Sequence, residues 1–161
     1  MSNSMPNNIE RSDERIKQTG EVFTPAPLVN ELLDRIPREV WSNPEKTFLD
    51  PSCGDGNFLV EVLRRKIAHG STPTQALQTT YGVELMSDNA EACRYRLLEI
   101  AGDTEDHRRI VEHNIACADA LTFNYWKPTL FGDTESAPTR AKKSKKKNVV
   151  TSNTTPIDAL V

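Results

Sequence analysis

The chain has 161 residues, a hydrophobic content of 37% and a formal net charge of −3. This length suits a single domain with a real core, and no apolar run approaches the length of a membrane span. The slightly acidic balance does not favour a dedicated nucleic-acid-binding module. Three cysteines without metal-ligand spacing indicate no metal site and favour a reducing, cytoplasmic compartment.

The amino-terminal part of the sequence changes from a polar leader to a helix. Residues 1–15 are polar and lack the apolar region of a signal peptide, and a short helix is predicted over residues 11–17. Apolar residues at helical spacing predict a longer helix over residues 25–36. Thr24 is the predicted N-cap of this helix, and Pro25 suits its first position.

Further along, strand and helix patterns alternate. Short apolar segments predict buried parallel strands at residues 47–50, 79–85 and 115–120. Helices are predicted at residues 57–69, 87–101 and 103–113, with one further helical turn within 71–77. Lys66 is predicted on the outward face of its helix, His107 at the surface, and Ser87 as an N-cap. The order strand–helix–strand–helix–strand indicates an α/β fold with a parallel sheet.

The most informative segment is the turn between the first strand and its helix, residues 50–59, which read Asp-Pro-Ser-Cys-Gly-Asp-Gly-Asn-Phe-Leu. Gly54 and Gly56 permit a positive φ and close backbone approach. A helix N-terminus follows directly, so backbone N–H groups can meet a ligand at the carboxyl end of the strand.

Three acids end the three predicted strands. Asp50, Glu84 and Asp119 should meet at one edge of a parallel sheet, where ligands of such folds bind. Two of them have a plainer alternative: Glu84 can cap the helix that follows it, and Asp119 can be an ordinary turn acid.

Four segments together resemble the adenine-N6-specific DNA methyltransferases, whose cofactor is S-adenosylmethionine (SAM). They are Thr-Gly-Glu-Val-Phe-Thr-Pro at 19–25, the glycine turn at 50–59, Tyr-Gly-Val-Glu-Leu at 81–85 and Cys-Ala-Asp-Ala-Leu at 117–121. They occur in the order of the family members that place the Thr-Gly segment first. The resemblance covers roughly residues 16–126 and implies a Rossmann-like SAM-dependent methyltransferase fold, with a truncated parallel sheet and flanking helices.

The resemblance also implies a cofactor site. Glu84 would accept the ribose hydroxyls, Asp119 the adenine amine and Asp50 the methionine ammonium, while Thr24 would lie near the methionine carboxylate. The whole set that the resemblance implies is Phe23, Thr24, Pro25, Asp50, Ser52, Gly54, Gly56, Asn57, Phe58, Glu84, Leu85, Asp119 and Ala120.

The catalytic signature of that family is missing. No Asn or Asp followed by Pro-Pro and an aromatic residue occurs in the sequence. The nearest stretch is residues 148–156, in which Asn153 would take the position of the catalytic Asn and Thr154 and Thr155 those of the prolines. The same stretch is equally consistent with a disordered tail.

The predicted organisation has four parts. They are a leader at 1–15, a SAM-binding domain at 16–126, a Lys-rich flexible segment at 127–147, and a fourth strand with a degenerate catalytic turn, or a tail, at 148–161. The parent reaction would be methyl transfer from SAM to adenine N6 in DNA, within restriction–modification or phage counter-defence. The alternative is a non-catalytic module that binds SAM or a partner protein, as one half of a split methyltransferase or as a regulator of an active one. Separately, if residues 149–152 do not pair with the first strand, its open apolar edge predicts self-association or a partner chain. A dinucleotide-binding oxidoreductase fragment is a more distant alternative.

Overall fold

The computed structural model describes residues 12, 14, 16–17 and 21–125. Its centre is a parallel sheet of three strands, β1 (Phe48–Asp50), β2 (Thr80–Glu84) and β3 (Ile115–Cys117), in the order β1-β2-β3. The register aligns Asp50 with Gly82 and Glu84 with Cys117. The predicted α/β class is therefore confirmed, and the arrangement is consistent with a Rossmann-like methyltransferase fold.

Helices precede the sheet and connect its strands. They are α1 (Ala26–Leu33), α2 (Arg38–Trp41), α3 (Asn57–Ala68), α4 (Pro73–Gln78), α5 (Ser87–Ala101) and α6 (Glu105–Asn114). Within residues 21–125 every predicted helix and strand is present, with bounds shifted by a few residues, and α2 is an additional short helix. The predicted turn in 71–77 is a full helix, α4, because Thr72 and Gln75 form a reciprocal capping box at its start.

Two predicted N-caps are wrong. The cap of α1 is Pro25, and no side chain caps this helix; Thr24 lies one residue further out. The cap of α5 is Met86, and Ser87 is the first helical residue. Neither Pro25 nor Met86 has a side-chain oxygen that could accept a hydrogen bond from the first helical turn, so neither helix has a side-chain cap.

The core consists of two clusters that share α3. One cluster joins α3 to α4, α5, α6 and the sheet, and it includes the fully buried Leu63, Leu97 and Ile115. The other joins α3 to α1 and α2 through Val62, Val29, Leu33 and Trp41. Every residue of β2 is buried. The sheet and α3 thus form a packed base for the loops at the carboxyl ends of the strands.

Two residues predicted at the surface are buried. The Lys66 side chain is fully buried, and its Nζ donates to the carbonyl oxygens of Lys46 at 2.6 Å and Pro44 at 3.4 Å. The His107 ring is buried between Thr74 and Gly102, with its ring nitrogens 2.9 Å from Thr74 Oγ1 and 2.8 Å from the Gly102 carbonyl oxygen. Both side chains pair with polar groups of segments that are distant in sequence or at a helix end, which helical periodicity does not reveal.

Within the described residues, no helix is long and apolar enough to cross a membrane. The Lys-rich segment at 127–147, the candidate fourth strand at 149–152, Asn153 and most of the leader lie outside the described residues.

Candidate cofactor site

A cleft of about 460 Å³ lies at the carboxyl edge of the sheet, within the size range of small-molecule sites. It is bounded by the segment before α1, the turn after β1, and the chain beyond β2 and β3. The residues that line it are Glu21, Val22, Phe23, Thr24, Asp50, Pro51, Ser52, Cys53, Gly54, Asp55, Asn57, Phe58, Glu84, Leu85, Met86, Asp119, Ala120 and Leu121.

The glycine turn forms the floor of the cleft. Gly54 and Gly56 both have positive φ, +54° and +92°. A Cβ atom at Gly54 would lie 3.1 Å from Cε1 of Phe23, and one at Gly56 would lie 2.7 Å from Sγ of Cys93. The turn therefore requires glycine at both positions, for its backbone conformation and for its close packing.

Glu84 connects this turn to the end of β2. Its side chain is only 7% exposed, and its Oε2 accepts a hydrogen bond from the Gly54 N–H at 2.9 Å. Oε1 accepts from the Met86 N–H at 2.9 Å. Glu84 thus holds the turn before α5, which corresponds to the helix-capping alternative that the sequence left open. It also lines the cleft, as predicted for a ligand-binding acid.

Asp50 lies beside Glu84 at the end of the neighbouring strand. Burial, the main cause, raises the pKa of Asp50, and the nearby negative charge of Glu84 raises it further. The Ser52 N–H, 3.0 Å from Oδ1 of Asp50, opposes these two effects in part. The free cleft therefore stabilises a negative charge at Asp50 poorly, and a cationic ligand group would relieve this cost.

Asp119 emerges next to Glu84 because the pairing of β2 and β3 continues past the last strand residue. The Ala118 N–H donates to the Glu84 carbonyl oxygen at 2.9 Å. Asp119 is exposed, and its Oδ1 accepts from the Leu121 N–H at 2.9 Å. It forms a turn of its own, as the plainer alternative predicts, and it also lines the cleft, where a ligand-binding acid was predicted.

The segment that precedes α1 forms one wall of the cleft. Asn57 at the start of α3 donates from Nδ2 to the Thr24 carbonyl oxygen at 3.2 Å, and the Phe23 ring packs against Gly54. Two elements that are far apart in sequence therefore meet at the glycine turn, in the arrangement expected of a shared ligand site.

The structure brings eleven of the thirteen residues that the sequence suggested into the lining of one cleft. Pro25 and Gly56 do not line it: Pro25 caps α1, and Gly56 packs against Cys93. Sequence reasoning gave no role to Glu21, Met86 and Asp55, which also line it. Glu21 lies inside the Thr-Gly segment at 19–25, so its position in that segment could have indicated that it belongs to the site.

Arg96 of α5 supports the turn from behind. Its Nη1 lies 2.9 Å from Oδ2 of Asp55 and donates to the Asp55 carbonyl oxygen at 2.8 Å. The other carboxylate oxygen, Oδ1, is buried and has no hydrogen-bond partner among the described residues. This ion pair fixes the backbone between the two glycines.

Charge is the decisive property of the cleft. Besides Asp55, whose charge Arg96 balances, its described lining contains the four acids Glu21, Asp50, Glu84 and Asp119, and it contains no lysine or arginine. Carboxylates accept hydrogen bonds from hydroxyl and amino groups, whereas phosphates require N–H donors and positive charge. The cleft suits a ligand with hydroxyls, amines and positive charge.

Comparisons with known proteins indicate a family. A sequence model described as N-6 DNA Methylase matches residues 10–154. The chain belongs to the N-6 DNA methylase family. It is also similar to the Type II methyltransferase M.VspI of Vibrio sp. (strain 343), with 31% identity over 114 residues. That match covers 71% of this chain and 24% of the relative, so the chain spans about a quarter of the relative's length.

No solved structure gives a significant match to this N-6 DNA methylase family chain. Family membership confirms the resemblance carried by the four sequence segments, and it implies SAM as the methyl donor of the family. The family match spans all four segments and continues to residue 154.

Proposed function

We propose that this chain binds SAM in the cleft at the carboxyl edge of its sheet. The observation that carries the proposal is the charge of the cleft, whose described lining holds several acids and no lysine or arginine. SAM carries an ammonium, a sulfonium and two ribose hydroxyls, all of which complement carboxylates. The phosphates of a dinucleotide would be repelled there, so the oxidoreductase alternative is not favoured.

Three of the acids have distinct proposed roles. Glu84 accepts the ribose hydroxyls with oxygen lone pairs left free by its two backbone donors, since each carboxylate oxygen can accept more than one hydrogen bond. Asp119 accepts the adenine amine, and the exposed Leu85 and Leu121 side chains pack against the ring. Asp50 faces the methionine ammonium.

The parent reaction is methyl transfer from SAM to adenine N6 in DNA, for which bound SAM supplies an activated methyl group. The adenine amine needs an acceptor such as Asn153 and a stacking ring, but the 161 residues contain no Pro-Pro-aromatic turn after this Asn. We therefore propose that these 161 residues bind the cofactor and, by themselves, transfer methyl groups to DNA poorly. The further alternative is a SAM-binding half of a split enzyme.

Two measurements test this function. Calorimetric titration with SAM should give saturable binding at one site, whereas NAD should give none; the reverse result would refute the proposed ligand. A transfer assay with labelled SAM and unmethylated DNA should give little product. Robust transfer by the purified chain would contradict the proposed poor transfer while leaving SAM binding intact.

We also propose that a further strand pairs with the open edge of the sheet at β1. A groove beside this strand supports the proposal. In the described part of the chain, β1 is an edge strand, and Leu49 within it is 39% exposed. An unpaired apolar edge invites strand pairing, either by residues 149–152, by a second copy or by a partner chain. The groove beside β1 has a volume of about 290 Å³ and is lined by Leu33, Phe48, Leu49, Asp50, Pro51, Phe58, Leu59 and Val62.

The oligomeric state tests this second proposal. Light scattering should report a dimer, or hydrogen exchange should report protected amides within residues 149–152. A monomer whose amides exchange freely from residue 127 onward would rule out the self-pairing forms.

We also propose a cytoplasmic location, since Cys53, Cys93 and Cys117 are all free thiols.

A further inference from the structure

One buried amide lies between two acids of the cleft. Asn89, in the first turn of α5, is 0% exposed. Its Nδ2 donates to Oε1 of Glu21 and reaches Oε1 of Glu84 at 3.5 Å. Asn89 itself does not line the cleft, whereas both of its partners do.

The chemistry of an amide suits this position. Two neighbouring carboxylates repel each other, and each needs hydrogen-bond donors when it is buried. An asparagine NH₂ group has two hydrogens, one for each carboxylate, and it adds no charge. A lysine at this position would neutralise the acids that the cleft presents to its ligand. An aspartate would add a third negative charge.

The contact also joins two parts of the site that are distant in sequence. Glu21 belongs to the wall formed by residues 21–24, and Glu84 ends β2. This wall is further held by the packing of Phe23 on Gly54 and by the hydrogen bond from Asn57 to the Thr24 carbonyl oxygen. Of these contacts, only the one from Asn89 connects the wall to a carboxylate of the strand end.

We propose that Asn89 is a positioning residue of the cofactor site: it holds the Glu84 carboxylate in place and tethers the wall of residues 21–24 over the cleft. The part of this inference that concerns ligand affinity rests on the proposed SAM binding. The part that concerns the wall does not, because the tether joins the chain's own residues. Weakening the tether should therefore loosen the wall and lower the affinity together.

The test uses Asn89→Asp, which keeps the side-chain shape and replaces the amide donors with an acceptor. Amides of residues 22–24 should exchange faster with solvent in the ligand-free variant, and SAM should bind about tenfold more weakly. Adding Glu21→Gln should partly restore both properties, because the amide introduced at position 21 can donate to the carboxylate introduced at position 89. This double variant re-forms the bond in the reverse direction. A residue that only fills space would show no such rescue.

Gln78→Glu is the matched control, an equal change of charge at an exposed position on α4. It should leave exchange and affinity unchanged. Normal exchange at residues 22–24 in Asn89→Asp, or no rescue by Glu21→Gln, would overturn the inference. If Asn89→Asp does not fold, Glu21→Ala gives the second test, and unchanged exchange in that variant would overturn it as well.

The outcomes separate the two proposals. If wild-type protein does not bind SAM, the proposed ligand is wrong, and the exchange measurements still decide the role of the tether. If wild-type protein binds SAM but Asn89→Asp binds it equally well, the role of Asn89 is wrong while the proposed function stands.

Discussion

The backbone N–H of Gly54 donates a 2.9 Å hydrogen bond to Oε2 of Glu84, across 30 positions of sequence. This bond fixes the glycine turn to the end of β2, where the Glu84 carboxylate lines the cleft. The turn and the acid are therefore one structural unit, and a change at either should affect the geometry of both.

Glu84→Gln tests this unit. The amide group keeps the shape but places an NH₂ against the N–H of either Gly54 or Met86, and it removes the charge. Since hydrogen bonds to charged groups contribute about 1.5–3 kcal/mol, we expect SAM affinity to fall at least about tenfold. Calorimetric titration and thermal unfolding measure the effects on binding and stability. Glu112→Gln, at an exposed position of α6, is the control, and equal affinity in Glu84→Gln and wild type would contradict the assigned role.

Asp50→Asn should separate stability from binding. Burial and the charge of Glu84 raise the pKa of Asp50 in the folded state, so the native protein holds this proton more tightly than the unfolded chain. This group's contribution to stability therefore falls as pH rises from its ordinary range through the raised pKa. At neutral pH we expect Asp50→Asn to melt at a higher temperature in thermal unfolding and to bind SAM more weakly in calorimetry. A lower melting temperature would contradict the cost assigned to this buried charge.

The pH dependence of binding gives a further check on Asp50. A cationic ligand favours the ionised carboxylate, so wild-type affinity, measured by calorimetry across a pH series, should fall as pH drops through the raised pKa. Binding should release protons near that pH. Asp50→Asn should lack this dependence. A wild-type affinity that stays constant down to the ordinary pKa of an aspartate would argue against contact between Asp50 and a cation.

Gly56→Ala should destabilise the fold through two separable effects. A φ of +92° costs roughly 1–2 kcal/mol when the residue is not glycine. The new Cβ would also lie 2.7 Å from Cys93 Sγ, and such overpacking costs about 1–3 kcal/mol. Adding Cys93→Ala should recover part of the stability lost to overpacking and none of the stability lost to the positive φ. Chemical denaturation of the single and double variants measures both, and full recovery would show that backbone strain is absent.

Lys66 should give the protein an alkaline dependence of stability. Burial lowers the pKa of Lys66 below its ordinary value of 10.5, so between these two values the unfolded chain binds more protons than the native state. This group's contribution to stability therefore rises with pH over that interval. In denaturant unfolding, the stability difference between wild type and Lys66→Met should shift in favour of wild type as the pH rises. A difference independent of pH would mean that Lys66 is not desolvated.

The α/β class, the order of strands and helices, and the convergence of Asp50, Glu84 and Asp119 could all be predicted from the amino-acid sequence. These follow from local patterns: apolar strands, helical periodicity, and the rule that parallel strands end at the same edge. The glycine turn was predictable for a similar reason, because glycine is the residue that readily adopts the positive φ that the turn requires.

The burial of particular polar side chains, and the groups they bind, became evident from three-dimensional packing alone. Lys66 and Asn89 stand at helical positions that look ordinary in the sequence, yet their partners Lys46 and Glu21 lie 20 and 68 positions away in the chain. Local periodicity contains no information about such pairs, since it does not specify which distant loop packs against a helix face. The cleft therefore depends on both local sequence and long-range packing. Local sequence places its acids at the sheet edge, and long-range packing sets their separation and orientation.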